Sequence, residues 1–230
     1  MLITGFPAGG FAANCYLVAP AEAAECVIID PGQDAEPGIE ELLARHRLKP
    51  IAVLLTHGHI DHVWSVAPVC GAKDVPAYIH PADRGMLTDP GLAFGGSRGA
   101  VPPGKQSGMP IFGGLTLSEP DDVRELSDGQ PITLGGLTFL VTHTPGHTRG
   151  SVTFLSADGS EPALFAGDLL FAGSIGRTDL PGGDDSQMAG SLARTMTLQD
   201  ETIVFPGHGP RTTIGEERAT NPFLNTERGL

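Results

Sequence analysis

The sequence is poor in the residues on which several common kinds of protein depend. Its 230 residues include three cysteines, one tryptophan and two tyrosines. Cys15, Cys26 and Cys70 are odd in number and form no CxxC pair. That argues against a disulfide scaffold or a cysteine-rich metal staple, and predicts three reduced thiols in a core. Basic residues are scarce as well: 14 Lys and Arg stand against 27 Asp and Glu, a formal net charge of −13. Phosphate backbones are normally held by Lys and Arg, so neither nucleic acid nor an anionic membrane surface is expected as a partner. No stretch approaches the roughly 20 apolar residues of a membrane span. The N-terminus shows neither a basic leader nor a long apolar run, which points to the cytoplasm. Nothing in the composition speaks to oligomeric state.

Glycine (32) and proline (20) are plentiful and punctuate short apolar runs. At roughly 150 residues per domain the length leaves one or two domains open. One domain spanning 1–230 is favoured, because no charge run or Ser-rich linker divides the chain. Runs at 14–18, 26–30, 51–55, 77–79, 137–142, 152–155, 163–166 and 203–205 read as strands. Residues 34–47 read as a helix, since Ile39, Leu42, Leu43 and His46 recur at i, i+3, i+4 and i+7. Further helices are expected at 63–69 and at 186–198, the latter with Met188, Leu192 and Met196 four residues apart. His80 to Asp83 reads as another helix start. Many short strands with a few helices predict a layered α/β domain. Residues 89–114 differ, with eight glycines and four prolines in 26 residues. They predict either a mobile surface insertion or a flap over a site.

The chemistry concentrates in Thr56-His57-Gly58-His59-Ile60-Asp61-His62, which directly follows the apolar run at 51–55. Imidazole and carboxylate together suit zinc, iron or manganese. Four such residues in six positions are not ordinary core packing, because buried ionisable groups need partners. The alternation of His57 and His59 suits an extended loop after a strand. His57 and His59 can then converge on one ion while Asp61 and His62 turn toward another. Later ligands are expected where a strand-like run ends in glycine and a ligand: Gly146-His147, Gly167-Asp168 and Gly207-His208, the glycine allowing a sharp turn. Two divalent cations would make the local field positive on an acidic molecule. His143 is expected to support a neighbouring ligand or the core, and His46 to sit near a helix end. Trp64 and Phe94 are read as core rather than pocket. Gly104-Lys105 lacks the Ser or Thr of a phosphate loop.

HxHxDH, followed by Thr144-Pro145-Gly146-His147-Thr148, then Gly167-Asp168, then Pro206-Gly207-His208, resembles the metallo-β-lactamase-fold superfamily over nearly the whole chain. The resemblance implies a four-layer αββα sandwich with two divalent ions at one edge, zinc first and iron or manganese next. It implies that His57, His59 and His147 hold the first ion, that Asp61, His62 and His208 hold the second, and that Asp168 bridges them. The implied reaction is hydrolysis by a hydroxide shared between ions about 3.5–4 Å apart. Asp61 also orients that nucleophile, so Asp61 and Asp168 are the expected catalytic carboxylates.

Gly173-Ser174-Ile175-Gly176-Arg177-Thr178-Asp179, with Gly207-His208-Gly209-Pro210 and Asn221-Pro222-Phe223, resembles the short bacterial type II glyoxalases, the hydroxyacylglutathione hydrolases. The implied substrate is a small acyl thioester such as S-lactoylglutathione, cleaved to a 2-hydroxy acid and a thiol. Arg177 is an expected substrate contact or, equally, a brace for the loop after Asp168. Classical members carry a further C-terminal helical domain with basic residues for the glutathione carboxylates. Only 22 residues follow His208, with Arg211, Arg218 and Arg228 their only basic ones, so no such domain is expected and the thiol carrier stays open. Rival readings are a mononuclear iron persulfide dioxygenase, a lactonase and another hydrolase of the same fold. A true β-lactamase is disfavoured by the lack of a leader, and a ribonuclease by the charge. Metals as mere structural staples are disfavoured because such sites are usually cysteine-rich and closed.

Overall fold

The computed structural model describes residues 1–95 and 117–224. Most of the glycine-rich segment, 96–114, lies outside the described residues. Its first part forms a 3-10 turn, Pro90–Phe94.

Two six-stranded sheets carry the fold. The first runs, in spatial order, β1 (Leu2–Ala8), β2 (Ala13–Ala19), β3 (Glu25–Ile29), β4 (Lys49–Leu54), β5 (Ala77–Ile79) and β6 (Val123–Glu125). Its first three strands pair antiparallel and its last four parallel. The second sheet holds β7 (Pro131–Leu134), β8 (Leu137–His143), β9 (Val152–Ser156) and β10 (Ala163–Gly167). After a small hairpin of β11 (Leu170–Phe171) and β12 (Ser174–Ile175), it is completed by β13 (Ile203–Pro206), parallel to β10, and β14 (Thr212–Thr213). The helices are α1 (Glu36–His46), α2 (Ile60–Val63), α3 (Val66–Lys73), α4 (Asp185–Thr195) and α5 (Ile214–Thr220).

The layers follow from the period of two along the strands. Cys26 and Ile28 of β3, with Val53 of β4 and Leu55 just beyond it, face Ile39, Leu42 and Leu43 of α1 and Val66, Val69 and Cys70 of α3. Their alternates Val27, Ile29, Ala52 and Leu54 face the second sheet and meet Phe139, Val141, Phe154, Phe165 and Phe205. Beyond that sheet, Leu164, Ala166 and Val204 pack on Met188 and Leu192 of α4 and on Ile214 of α5. Helix, sheet, sheet and helix are thus four stacked layers, the expected αββα sandwich. The unbroken apolar run into the His-rich motif is a strand covered on both faces. Each fully buried phenylalanine between the sheets contributes about 1.5–3 kcal/mol relative to exposure.

Several local expectations need correction, and one of them is Phe94, which is 44% exposed rather than core. The helix expected at 63–69 is two helices, because Ser65 turns the chain. Its amide donates to the Pro31 carbonyl and its hydroxyl to Glu36. The helix expected after His80 is a 3-10 turn, Arg84–Leu87. The strand Leu2–Ala8 has no counterpart among the expected strands, because Gly5 and Pro7 mask it. An edge strand tolerates both, and this one pairs only with β2. Cys15, Cys26 and Cys70 are all buried and free. Among the described residues, no helix is long and apolar enough to cross a membrane.

Candidate metal centre

Five segments leave the carboxyl ends of strands at one end of the sandwich, the position where α/β sheets collect ligands. β3 leads to Asp30, β4 to His57, β8 to His147, β10 to Asp168 and β13 to His208. The chain from His57 to His59 is extended, and α2 then begins at Ile60. This single turn carries Asp61 and His62, the His62 ring centroid lying 4.2 Å from that of His57.

The result is two adjoining groups of the expected ligands, overlapped by a third cluster of Asp30, His57 and His62. One ring nitrogen each from His57, His59 and His147 lie within 4.8 Å of one another, and so do the ligand atoms of Asp61, His62 and His208. Asp168 stands between the groups. Its Oδ1 is 3.4 Å from His62 Nε2, and its Oδ2 is 3.4 Å from His147 Nε2 and 3.7 Å from His208 Nε2. All seven expected ligand residues are therefore in one place.

Hydrogen bonding shows which atoms are reserved. His62 Nδ1 donates to Asp30 Oδ2 at 3.1 Å, and His147 Nδ1 donates to the Arg177 carbonyl at 2.8 Å. The Thr56 hydroxyl donates to Asp30 Oδ2 at 2.6 Å and so can accept from His57 Nδ1 at 3.0 Å. Fixing Nδ1–H in this way leaves the Nε2 lone pair pointing inward. The Nε2 atoms of His57, His59, His62 and His147, with Asp168 Oδ1, are buried and have no hydrogen-bond partner. A buried unsatisfied polar group costs about 1–3 kcal/mol. Five at one point are not tolerable packing, but they are what cations would satisfy, and the donor set fits two of them.

Electrostatics separate the two groups. Burial, with the neighbouring histidines, holds His57 well below the usual imidazole range, and burial first of all lowers His59 to about 3. Burial would lower His62 too, but Asp61, Asp168 and Asp30 outweigh it and hold that imidazole well above its usual range. The hydrogen bond from His208 Nε2 to Asp61 Oδ2, 3.2 Å, raises His208 against its burial. Burial would raise Asp61 and Asp168, but the surrounding histidines win and hold both carboxyls below the ordinary range.

Of the three glycines expected to turn before ligands, Gly146 (φ 136°) and Gly167 (φ 49°) do so in positive-φ backbone. Gly207 is needed for a different reason: a Cβ there would collide with Asp168 Oδ1. The Arg177 guanidinium is exposed and clasps the Asp179 carboxylate at 2.7 Å through both Nε and Nη2. What Arg177 brings to the centre is its carbonyl. His143 stands away from the ligands, stacked on His80 with ring centroids 4.2 Å apart. Supports outside the expected set are Asp30, Asn14 and Tyr16. Asn14 Nδ2 donates to the carbonyls of Pro206 and Gly209, and the Tyr16 hydroxyl donates to that of Pro206 at 2.7 Å. Together these bonds hold the loop that carries His208. The one sequence signal for Asp30 was its place at the end of a strand.

A family profile described as the Metallo-beta-lactamase superfamily matches residues 8–208. The chain belongs to this superfamily. An uncharacterized protein of Mycobacterium tuberculosis is 48% identical over 97% of this chain and 98% of its own length. The hydroxyacylglutathione hydrolase GloC of Haemophilus influenzae is 33% identical over 99% of this chain and all of its own length. Among solved structures, the B3 metallo-beta-lactamase BLEG-1 is 40% identical, with a TM-score of 0.82 over 97% of this chain and 100% of that one. TTHA1623, solved in a di-iron-bound form, is 41% identical, with a TM-score of 0.75 over 94% and 97%. This metallo-β-lactamase superfamily member is a metal-dependent hydrolase, and its His and Asp groups suit zinc, iron or manganese alike.

Proposed function

We propose that the chain hydrolyses a small acyl thioester, of which S-lactoylglutathione is the type, on a centre of two divalent ions. His57, His59 and His147 hold one ion, Asp61, His62 and His208 hold the other, and Asp168 joins them. The convergence of five buried, unsatisfied ligand atoms carries the two-ion reading. Bound divalent ions bring the pKa of water toward 7 and polarise a carbonyl. The ligand set is first suited to zinc.

The chain's own groups indicate the kind of bond. Asp61 is held ionised and its side chain keeps 19% exposure, so its carboxylate can accept a hydrogen bond from an attacking water and orient it. Asp168 is also held ionised but lies deeper. Neither carboxyl is set as a strong general acid. A thiolate leaves without one, whereas an amine leaving group needs a proton. The full-length similarity to a hydroxyacylglutathione hydrolase supports the same choice, and three free thiols fit a reducing cytoplasm.

The similarity to BLEG-1 favours β-lactam cleavage as a second reading. One experiment separates the readings: S-lactoylglutathione, other acyl thioesters, a lactone and a β-lactam are assayed without oxygen, and a persulfide with it, with elemental analysis of the same sample. The expected result is thioester turnover with about two metals per chain. β-Lactam hydrolysis alone would replace it with the second reading. Oxygen uptake on a persulfide, one iron per chain and no thioester cleavage would replace it with dioxygenation.

A further inference from the structure

Asp83 is a buried carboxylate that belongs to neither group of ligands. It follows β5, at the turn before Arg84–Leu87, and is 0% exposed. Its Oδ2 accepts from the Gly58 amide at 3.0 Å and from the Thr148 hydroxyl at 2.6 Å, and its Oδ1 accepts from the Gly150 amide at 2.8 Å. Gly58 separates His57 from His59, and Thr148 follows His147. One carboxylate thus ties together the two loops that carry the entire first group.

The fit is close on both sides. A Cβ on Gly58 would stand 2.9 Å from Met86 Cβ and 3.0 Å from the Asp83 carbonyl oxygen, and a Cβ on Gly150 would stand 2.6 Å from Asp83 Cγ. Each loop therefore brings a glycine against the Asp83 turn, and the His147 loop adds the Thr148 hydroxyl. Burying a carboxylate is costly unless donors replace its water, and here three donors from the two loops do so. Asp30 supports a different part of the centre, reaching His62 directly and His57 through Thr56. Neither of those contacts involves the loop of His147.

We infer that Asp83 is a positioning residue for the first ion: it sets the separation between the His57–His59 loop and the His147 loop. This rests on the two-ion centre proposed above. Losing a partner that orients a metal ligand typically costs 10–100-fold in affinity, and here the loss falls on one ion only.

The test is titration of the metal-free full chain with cobalt(II) alone, read by visible absorption. His59→Ala and His208→Ala identify the bands of the first and second ion. Asp83→Asn is expected to weaken the first ion by on the order of 10–100-fold and to leave the second unchanged, with the far-UV circular dichroism of the wild type. If Asp83→Asn does not fold, Thr148→Val, which removes one donor, is expected to weaken the first ion, and Thr148→Ser to restore it. A folded Asp83→Asn that binds both ions normally, or weakens both equally, overturns this inference alone, as does an indifferent Thr148→Val. A wild-type chain that takes up a single cobalt ion overturns the two-ion centre and this inference with it.

Discussion

The two ligand groups share Asp168 and the support of Asp30, and otherwise differ. His57, His59 and His147 are sealed in the protein at 1%, 6% and 3% exposure. In the second group His62 is sealed, but the side chains of Asp61 and His208 keep 19% and 31%. The first group is all imidazole, and burial keeps His57 and His59 neutral and ready to accept a cation. The second mixes imidazole with carboxylate, and the carboxylates raise the pKa values of His62 and His208. On the two-ion reading, a closed all-imidazole trio would anchor an ion, whereas a more open trio that includes a carboxylate can exchange partners with solvent and substrate. On the proposed two-ion reading, the half of the centre more open to solvent and substrate is the second.

Asp168 is where this contrast breaks most completely, because it serves both halves. Asp168→Asn is expected to lose both ions and turnover together, by more than the ~10–100-fold typical of an outer partner. Retention of either ion at full affinity, by elemental analysis after dialysis, would show that Asp168 belongs to one half only.

Single ligands sharpen the contrast. His59→Ala should retain no tightly held first ion. His208→Ala should keep the first ion and lose the second, with turnover falling far more than metal content. Equal metal loss in the two variants, measured on matched samples, would mean that the halves are not independent sites.

A subtler effect concerns pH and the metal-free protein. His62 and His208 bind protons above the ordinary imidazole value of 6.5. Their stabilisation is complete below that value and is lost as pH rises through the raised pKa values. His57 and His59 work the other way: their stabilisation is present above 6.5 and is lost as pH falls toward about 3, the value to which His59 is lowered. The metal-free chain should thus be most stable near pH ~6.5, and the loaded chain at higher pH, because ligands must be deprotonated to bind. Thermal melts with and without chelator check this. A metal-free optimum displaced as far upward as the loaded one would refute the division of charge.

Arg177→Ala is expected to do least. The side chain only clasps exposed Asp179, while its carbonyl, which the substitution retains, holds His147. Melting temperature and metal content should not change. A raised KM with unchanged kcat would assign the guanidinium to substrate.

The seven residues that meet at the centre were legible in the chain because the superfamily motif states them locally. HxHxDH is contiguous, and Gly146-His147, Gly167-Asp168 and Gly207-His208 each sit where a strand ends. Their supports were not legible, because they are single residues whose roles arise from approach. Asp30 lies 26 residues before Thr56 and 32 before His62, both of which it grips. It adopts φ 49°, in left-handed backbone unusual for a residue with a side chain. Asn14 and Tyr16 act on carbonyls 190 or more residues away. The strand at Leu2–Ala8 was hidden because its glycine and proline are tolerated only at an edge, and an edge is a property of the sheet.

The sequence by itself determined the donor chemistry, the strand ends that present it and the burial of the apolar run at 51–55, because each depends on neighbours a few positions apart. Tertiary structure alone decided which nitrogens stay free, how the charge divides between the two groups, and that the main chain rather than the side chain of Arg177 reaches the centre. Those depend on burial and on distances between loops that meet only when the two sheets stack.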